Sequence, residues 1–168
     1  MELYSSVRHL KGIGEKTEKL FGKLGVYSYL DMLLYFPRDY MVYPQAVNLD
    51  VCIDDFIKNN KKDTYAAVRV KINTRPIIKN GVKMPIVLLN ISCGNYKMEA
   101  IWFRATYIRN ILKVGHSYVL YGKAQMKGSI LHITQSEIFD ERKYYNVSEK
   151  PLPIYHLTKS LTQKTVRK

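Results

Sequence analysis

Cysteine is almost missing. Only Cys52 and Cys93 occur in 168 residues, flanked by Val, Ile and Ser, with no Cys-x-x-Cys and no histidine close by. That excludes a disulfide framework and a zinc site, and leaves two reduced, mostly buried thiols as the expectation. The four histidines, His9, His116, His132 and His156, stand far apart with no i, i+4 pair, so each reads as structural or solvent-facing. No G-x-S-x-G elbow and no paired-carboxylate motif stands out. A phosphate-binding loop is lacking too: Gly122-Lys123 is followed by Ala124 instead of Ser or Thr, and no glycine precedes Gly122 by five residues. The chain is therefore expected to have no catalytic residue, no metal and no cofactor of its own. Apolar runs are short, far below the roughly 18 residues of a membrane span. The start, MELYSSVRHL, lacks a charged region followed by an apolar one. The expectation is a soluble, cytoplasmic protein that avoids membranes.

Acidic residues are scarce beside basic ones. Lys and Arg number 27 against 14 Asp and Glu, a formal net charge of +13, which favours a nucleic-acid-like, acidic partner. With 46% hydrophobic and 24% charged residues, the surplus belongs to a folded surface and not to a disordered tail. The length suits one ordinary domain or two small ones.

Residues 1–45 carry helical spacing. Leu20, Phe21 and Leu24 share one side of a helix over 15–24, and Gly25 stands where a helix end wants positive φ. Ser28 opens a second helix, with Asp31 completing a capping box and Leu30, Leu33 and Leu34 as its apolar stripe, until Phe36-Pro37 ends it. The stretch 46–64 reads as a connector, a surface loop with Ile53, Phe56 and Ile57 as anchors and a basic polar run at Lys58–Lys62.

From Thr64 the period becomes 2, as Val68, Val70 and Ile72 alternate with Arg69, Lys71 and Asn73. Asn80-Gly81 signals a tight hairpin turn, with Ile86 to Ile91 as the returning strand. Tyr96 to Phe103 is a third strand, Ala105 to Leu112 a short helix, and Ser117–Gln125 and Ser129–Thr134 two more strands joined at Lys127-Gly128. Five strands with a helix between the third and fourth is the element order of the OB-fold. The predicted architecture is mainly β with an α-helical N-terminus: a five-stranded Greek-key OB barrel over 65–140, preceded by a helix-hairpin-helix-like segment. Residues 141–168 lose β character and read as a linker, in which Ser160 or Thr162 caps a truncated helix.

An OB-fold presents ligands on strands two and three, framed by two loops. Both frames are basic here: Arg75, Lys79 and Lys83 in one, Lys127 in the other, preceded by Lys123. Any one of these lysines is best read as a solvated turn residue; the set, backed by the charge surplus, points to nucleic acid. Alternation along the third strand puts Met98, Ala100 and Trp102 inside and Phe103 outside, beside Arg104. Tyr107 follows four residues on, at a spacing that aligns side chains on one helical face. Two readings weigh equally at this point, rings that stack on unpaired bases with Arg104 on a phosphate, or rings that merely close the barrel bottom. Near the N-terminus, Gly12-Ile13-Gly14 ahead of a helix suits either a phosphate contact through backbone N–H groups or a turn that needs glycine for its geometry.

Several segments together resemble the N-terminal wedge region of the RecG family, ATP-dependent helicases that remodel branched DNA. They are Leu10-Lys11-Gly12-Ile13-Gly14-Glu15-Lys16, Lys23-Leu24-Gly25-Val26, Asp31 through Tyr40 with its specific Phe36-Pro37-Arg38-Asp39-Tyr40 run, Ile101-Trp102-Phe103 with Tyr107-Ile108, and Pro153–Thr158 with Leu161–Lys164. The resemblance implies an OB-fold wedge that splits strands at a fork, with an aromatic pair stacked on the bases of the branch point. Phe103 and Tyr107 match that pair in type and spacing. It further implies branched DNA (forks and Holliday junctions) and single-stranded DNA as partners of a monomer, with ATP and Mg confined to motor domains that this chain lacks. The chain is then an N-terminal fragment without the longer extension of some members, and binds DNA without unwinding it. The stretch Ile57–Asp63 is longer and richer in lysine than the family pattern. A stand-alone single-stranded DNA or tRNA-binding OB module, and a protein-interaction domain with a basic face, are the competing readings.

Overall fold

Residues 2–81 and 83–167 are described by a computed structural model; Val82, in the expected hairpin turn, lies outside them. The chain divides into two units, one built from the segments up to Val42 and from Pro151 onward, the other from Tyr43–Lys150.

In the first unit a 3₁₀ turn at Val7–His9 precedes α1 (Glu15–Gly22), α2 (Tyr29–Leu33) and β1 (Asp39–Val42). Glu15 and Glu18 lie in the first turn of α1, where the helix dipole favours negative charge. After α1 the chain turns at Gly25 with φ of +77°, the left-handed conformation expected past a helix end. The Ser28–Asp31 capping box forms as expected: Asp31 N–H donates to Ser28 Oγ at 3.2 Å, and Asp31 Oδ2 accepts from the backbone N–H groups of Tyr27 and Ser28 at 3.0 and 2.9 Å. These donors hold the Asp31 carboxyl below the usual carboxylate range. Val7, Phe21, Val26 and Leu161 form a small core. Leu33 and Leu34 do not join it; both are exposed, because α2 ends within a turn and a half and its stripe has no further turn to occupy.

The second unit runs through β2 (Val47–Asn48), α3 (Leu49–Lys58), β3 (Thr64–Lys71), β4 (Ile77–Asn80), β5 (Pro85–Cys93), β6 (Tyr96–Phe103), α4 (Ile108–Ile111), β7 (Ser117–Lys127), β8 (Ile130–Asp140) and α5 (Glu141–Val147). The chain then returns to the first unit with β9 (Pro151–Ile154) and α6 (Gln163–Val166). The 46–64 connector, contrary to expectation, is not a surface loop: α3 occupies most of it, and Leu49, Cys52, Ile53 and Phe56, at i, i+3, i+4 and i+7, are buried in the main core, while Ile57 is exposed. The 141–168 stretch is likewise more than the expected linker, since β9 pairs antiparallel with β1 from Asp39↔Ile154 to Val42↔Pro151. Thr162 does cap α6, accepting from Thr165 N–H.

Seven strands of the second unit order as β2-β3-β7-β8-β6-β5-β4. The five-stranded closed barrel is thus replaced by an open ladder. At its ends β2 pairs with two residues of β3 (Val47↔Val68, Asn48↔Arg69), and β4 folds back on the first part of β5 (Ile77↔Leu88 to Asn80↔Pro85). Beyond that second register Gly81 N–H donates to Met84 O at 3.1 Å, so the two strands stay joined up to the expected turn. The expected helix over 105–112 shrinks to the single turn of α4. Both thiols were expected inside, but only Cys52 is; Cys93 is exposed at the end of β5. Burial in α3 pushes the Cys52 thiol up to about 11. At the ends of this unit Tyr43 bridges to Ser148, and Glu149 N–H donates to Tyr43 O at 2.8 Å.

The β7–β8 ladder carries one irregularity. Tyr121 faces Glu137 while Lys123 faces Thr134, so Gln135 and Ser136 together oppose Gly122. This is a β-bulge, and Gln135 takes a left-handed φ of +49° within it. A Cβ on residue 122 would lie 2.9 Å from Ser136 Cα and 3.2 Å from Thr134 O, both backbone atoms, so the bulge requires glycine opposite it.

Candidate nucleic-acid interface

Alternation along β6 is borne out. Met98, Ala100 and Trp102 are buried, and Trp102 Nε1 donates to Ser136 O at 2.8 Å, which ties β6 to the bulge from within. Phe103 emerges on the opposite face, 38% exposed. Two backbone features fix it. Its N–H donates to Gln135 Oε1 at 3.2 Å, so the bulge turns an amide onto the end of β6. Arg104 then adopts a left-handed φ of +56°, with its N–H on Pro85 O at 3.0 Å. A non-glycine residue in that region costs of order 1 kcal/mol and is concentrated at functional sites; here two of them flank one ring.

Tyr107 follows at 63% exposed, immediately ahead of α4. Helical i, i+4 spacing does not relate it to Phe103, since Phe103 ends a strand and Arg104 takes a left-handed φ. Among the described residues no ring-to-ring contact joins the two. Tyr107 instead separates two clefts. One, of about 640 Å³, is lined by Arg75, Ile78, Thr106, Tyr107, Arg109 and Asn110. The other, of about 390 Å³, is largely apolar, lined by Trp102, Ile108, Ile111 and Ile138 together with Gln135 and Glu137. Neither Arg75 nor Arg109 is in an ion pair among the described residues, so two guanidinium groups beside an exposed ring remain available to phosphate oxygens.

Arg75 thus lines the same cleft as Tyr107. Arg109 was missed: on a surface helix turn a lone arginine carries no pattern, and only the fold shows that it lines the same cleft as Arg75. Gln135 was missed for a similar reason, its role depending on a bulge set by the facing strand. Lys79 is exposed on β4 opposite Ile86, and Lys83 is exposed between β4 and β5. Ile86 pairs with Phe103 across β5 and β6, so Lys79 belongs to the same end of the sheet face. Lys127 does not. It pairs with Ile130, which pairs with Lys97, six residues from Phe103 and about 20 Å away along the strand. Lys123 lies 3.5 Å from Asp63. Gly12 and Gly14 belong to the first unit. Gly12 turns with φ of +90°, whereas Gly14 caps α1 in extended conformation with open space where a Cβ would go. Backbone geometry therefore explains Gly12 and leaves Gly14 without a structural requirement.

Of the histidines, His132 is the one in a charged setting, Nδ1 lying 3.1 Å from Glu99 Oε1 across the β6–β8 pair. Among the described residues no group of three His, Cys, Asp or Glu side chains is placed to hold a metal ion. No helix among them is long and apolar enough to cross a membrane.

Comparison with known proteins gives a consistent picture. A family described as the RecG wedge domain matches residues 6–168. The ATP-dependent DNA helicase RecG of Bacillus subtilis is 24% identical over 169 residues, covering 98% of this chain and 22% of that protein. The same helicase of Thermotoga maritima is 27% identical over 172 residues, covering 100% of this chain and 21% of its own length. A solved structure of RecG bound to a three-way DNA junction superposes with a TM-score of 0.81 at 24% identity, over 99% of this chain and 22% of that one. The chain thus spans about a fifth of the length of the curated relatives it matches.

Proposed function

The chain belongs to the RecG wedge domain family, and from that premise we propose that it is the strand-splitting, DNA-binding wedge of a RecG-type helicase, engaging replication forks and Holliday junctions at the branch point. The order of β3, β7, β8, β6 and β5 supports an OB-type Greek key as its framework. In this reading Phe103 and Tyr107 stack on bases exposed where the duplex parts, while Arg75 and Arg109 hold one arm by its phosphates. ATP and Mg act in motor domains of the complete helicase, in the service of repair and recombination; this chain contributes binding and positioning.

The observation that carries the proposal is the end of β6: an outward Phe held beside two left-handed residues, followed by an exposed Tyr that lines a cleft with two arginines in no ion pair among the described residues. A ring on a base is worth about 1–3 kcal/mol. Replacing both Phe103 and Tyr107 with Ala is therefore expected to weaken fork binding tenfold or more by fluorescence anisotropy, with thermal unfolding nearly unchanged because both rings are largely outside the core. Equal fork affinity in the double variant and the parent chain refutes the assignment. A parent chain that binds plain single strand as tightly as a fork would favour the stand-alone module instead.

A further inference from the structure

The lysine-rich stretch at Lys58–Lys62 has no part in the branch-point site, yet the fold gives it a neighbour. It leads directly into β3, whose second residue, Tyr65, is 65% exposed. The Tyr65 ring stacks on Tyr121 with centroids 5.5 Å apart and planes 30° from parallel. Tyr121 is braced edge-on by Tyr43 at 4.8 Å, and Tyr43 packs edge-on against Phe139 and Tyr144 at 5.3 and 5.8 Å. The hydroxyls beneath are tied down, Tyr43 Oη donating to Glu137 Oε2 at 3.0 Å and Tyr144 Oη to Pro44 O at 2.7 Å. The result is a rigid pile of aromatic rings whose top one faces solvent.

Cations lie near that top ring in register and in sequence. Lys123 is directly opposite Tyr65 in the β3–β7 register. The two nearby acids are engaged, Asp55 by Lys61 and Asp63 by Lys123. Lys58 and Lys62 are exposed and in no ion pair among the described residues. The loop is not free to take any shape, since Asn60 and Asp63 both have left-handed φ, +45° and +49°. The ladder also aligns this shelf with the branch-point residues: Tyr65, Lys123, Thr134 and Ile101 form one continuous rung, and Ile101 is two residues before Phe103 on the same face of β6. Three strand spacings separate β3 from β6, about 14 Å, well within the roughly 4–16 nucleotides that one fold of this kind accommodates.

We propose that Tyr65, backed by Tyr121 and flanked by Lys62 and Lys123, is a second stacking platform that receives an unpaired DNA strand after it leaves the branch point. The inference rests on the wedge reading and extends it to the path of one strand. An exposed pair such as Lys123–Asp63 is weak enough for a phosphate to displace, and a tyrosine face accepts any base, so the platform is indifferent to sequence.

Two forks separate the possibilities, one with a single-stranded arm and one with both arms duplex. Replacing Tyr65 with Ala is expected to weaken binding of the single-stranded-arm fork roughly tenfold, the loss of one stacked base, and to leave the duplex-armed fork unchanged. Tyr65→Phe keeps the ring face and should bind as the parent does. The Phe103/Tyr107 double variant should weaken both forks. Unaltered binding of the single-stranded-arm fork by Tyr65→Ala overturns the platform, as does an equal loss on both forks, which would make Tyr65 merely structural. If Tyr65→Ala acts selectively while the double variant acts on neither fork, the platform stands and the branch-point assignment fails. Should Tyr65→Ala unfold the chain, Lys58→Glu with Lys62→Glu tests the same path from exposed positions, and unchanged binding there counts against it.

Discussion

Gly122→Ala is a single-methyl substitution with an outcome that the bulge dictates. The new Cβ would lie 2.9 Å from Ser136 Cα, 3.0 Å from Ser136 Cβ and 3.2 Å from Thr134 O. No flexible side chain can swing aside, because two of these three atoms are backbone. Relief requires β7 and β8 to part at the bulge, in a region where Trp102, Ala124, Leu131 and Ile133 are fully or almost fully buried. Overpacking of this kind costs about 1–3 kcal/mol, and in a domain of roughly 100 residues each kcal/mol lowers Tm by about 4–8 °C. A fall of about 5–20 °C is expected by circular dichroism. Fork affinity should fall as well, since moving Gln135 withdraws the acceptor that holds the Phe103 N–H. Adding Ser136→Gly removes only the Cβ contact, so partial recovery is expected. A Gly122→Ala chain that melts within 1–2 °C of the parent would show that the bulge yields cheaply, and would refute the reasoning that it positions Phe103.

Charge sets two further outcomes. Arg109→Gln should reduce the salt dependence of duplex-fork binding by close to one phosphate contact, about 0.9 in the log–log slope, measured by anisotropy across a salt series; an unchanged slope removes Arg109 from the interface. Asp31 has its carboxyl depressed in the folded chain by backbone donors from Tyr27 and Ser28. Its contribution is therefore complete above the unfolded value, near 3.9, and is lost as pH falls through the lower folded value. Asp31→Asn should accordingly flatten the acid limb of the stability curve below about pH 4, read from urea midpoints against pH. An acid limb identical to the parent's would mean that the capping box does not couple to folding.

The strands of the second unit were readable because alternation is local: Val68, Val70 and Ile72, or Met98, Ala100 and Trp102, declare their faces without reference to anything distant. Capping was readable for the same reason, as Ser28 and Asp31 lie three residues apart. What escaped depends on partners far along the chain. β9 exists because β1 lies more than a hundred residues upstream, and β2, which lies on the β3 edge, is two residues long and too short to carry a pattern. α3 was masked by the polar run at its end, although Leu49, Cys52, Ile53 and Phe56 hold full helical spacing. At the candidate site, the outward direction of Phe103 was legible. Its alignment with Tyr107 is not legible from helical spacing, because Phe103 ends a strand, and Arg109 and Gln135 acquire their roles only through folding.

The Tyr43 and Ser148 bridge and the Glu149-to-Tyr43 hydrogen bond hold the two ends of the second unit beside each other. Such a cassette, with its two ends already stapled together, is suited to transplantation between unrelated hosts or to cyclic rearrangement of its own order, since neither operation asks the excised piece to span a gap.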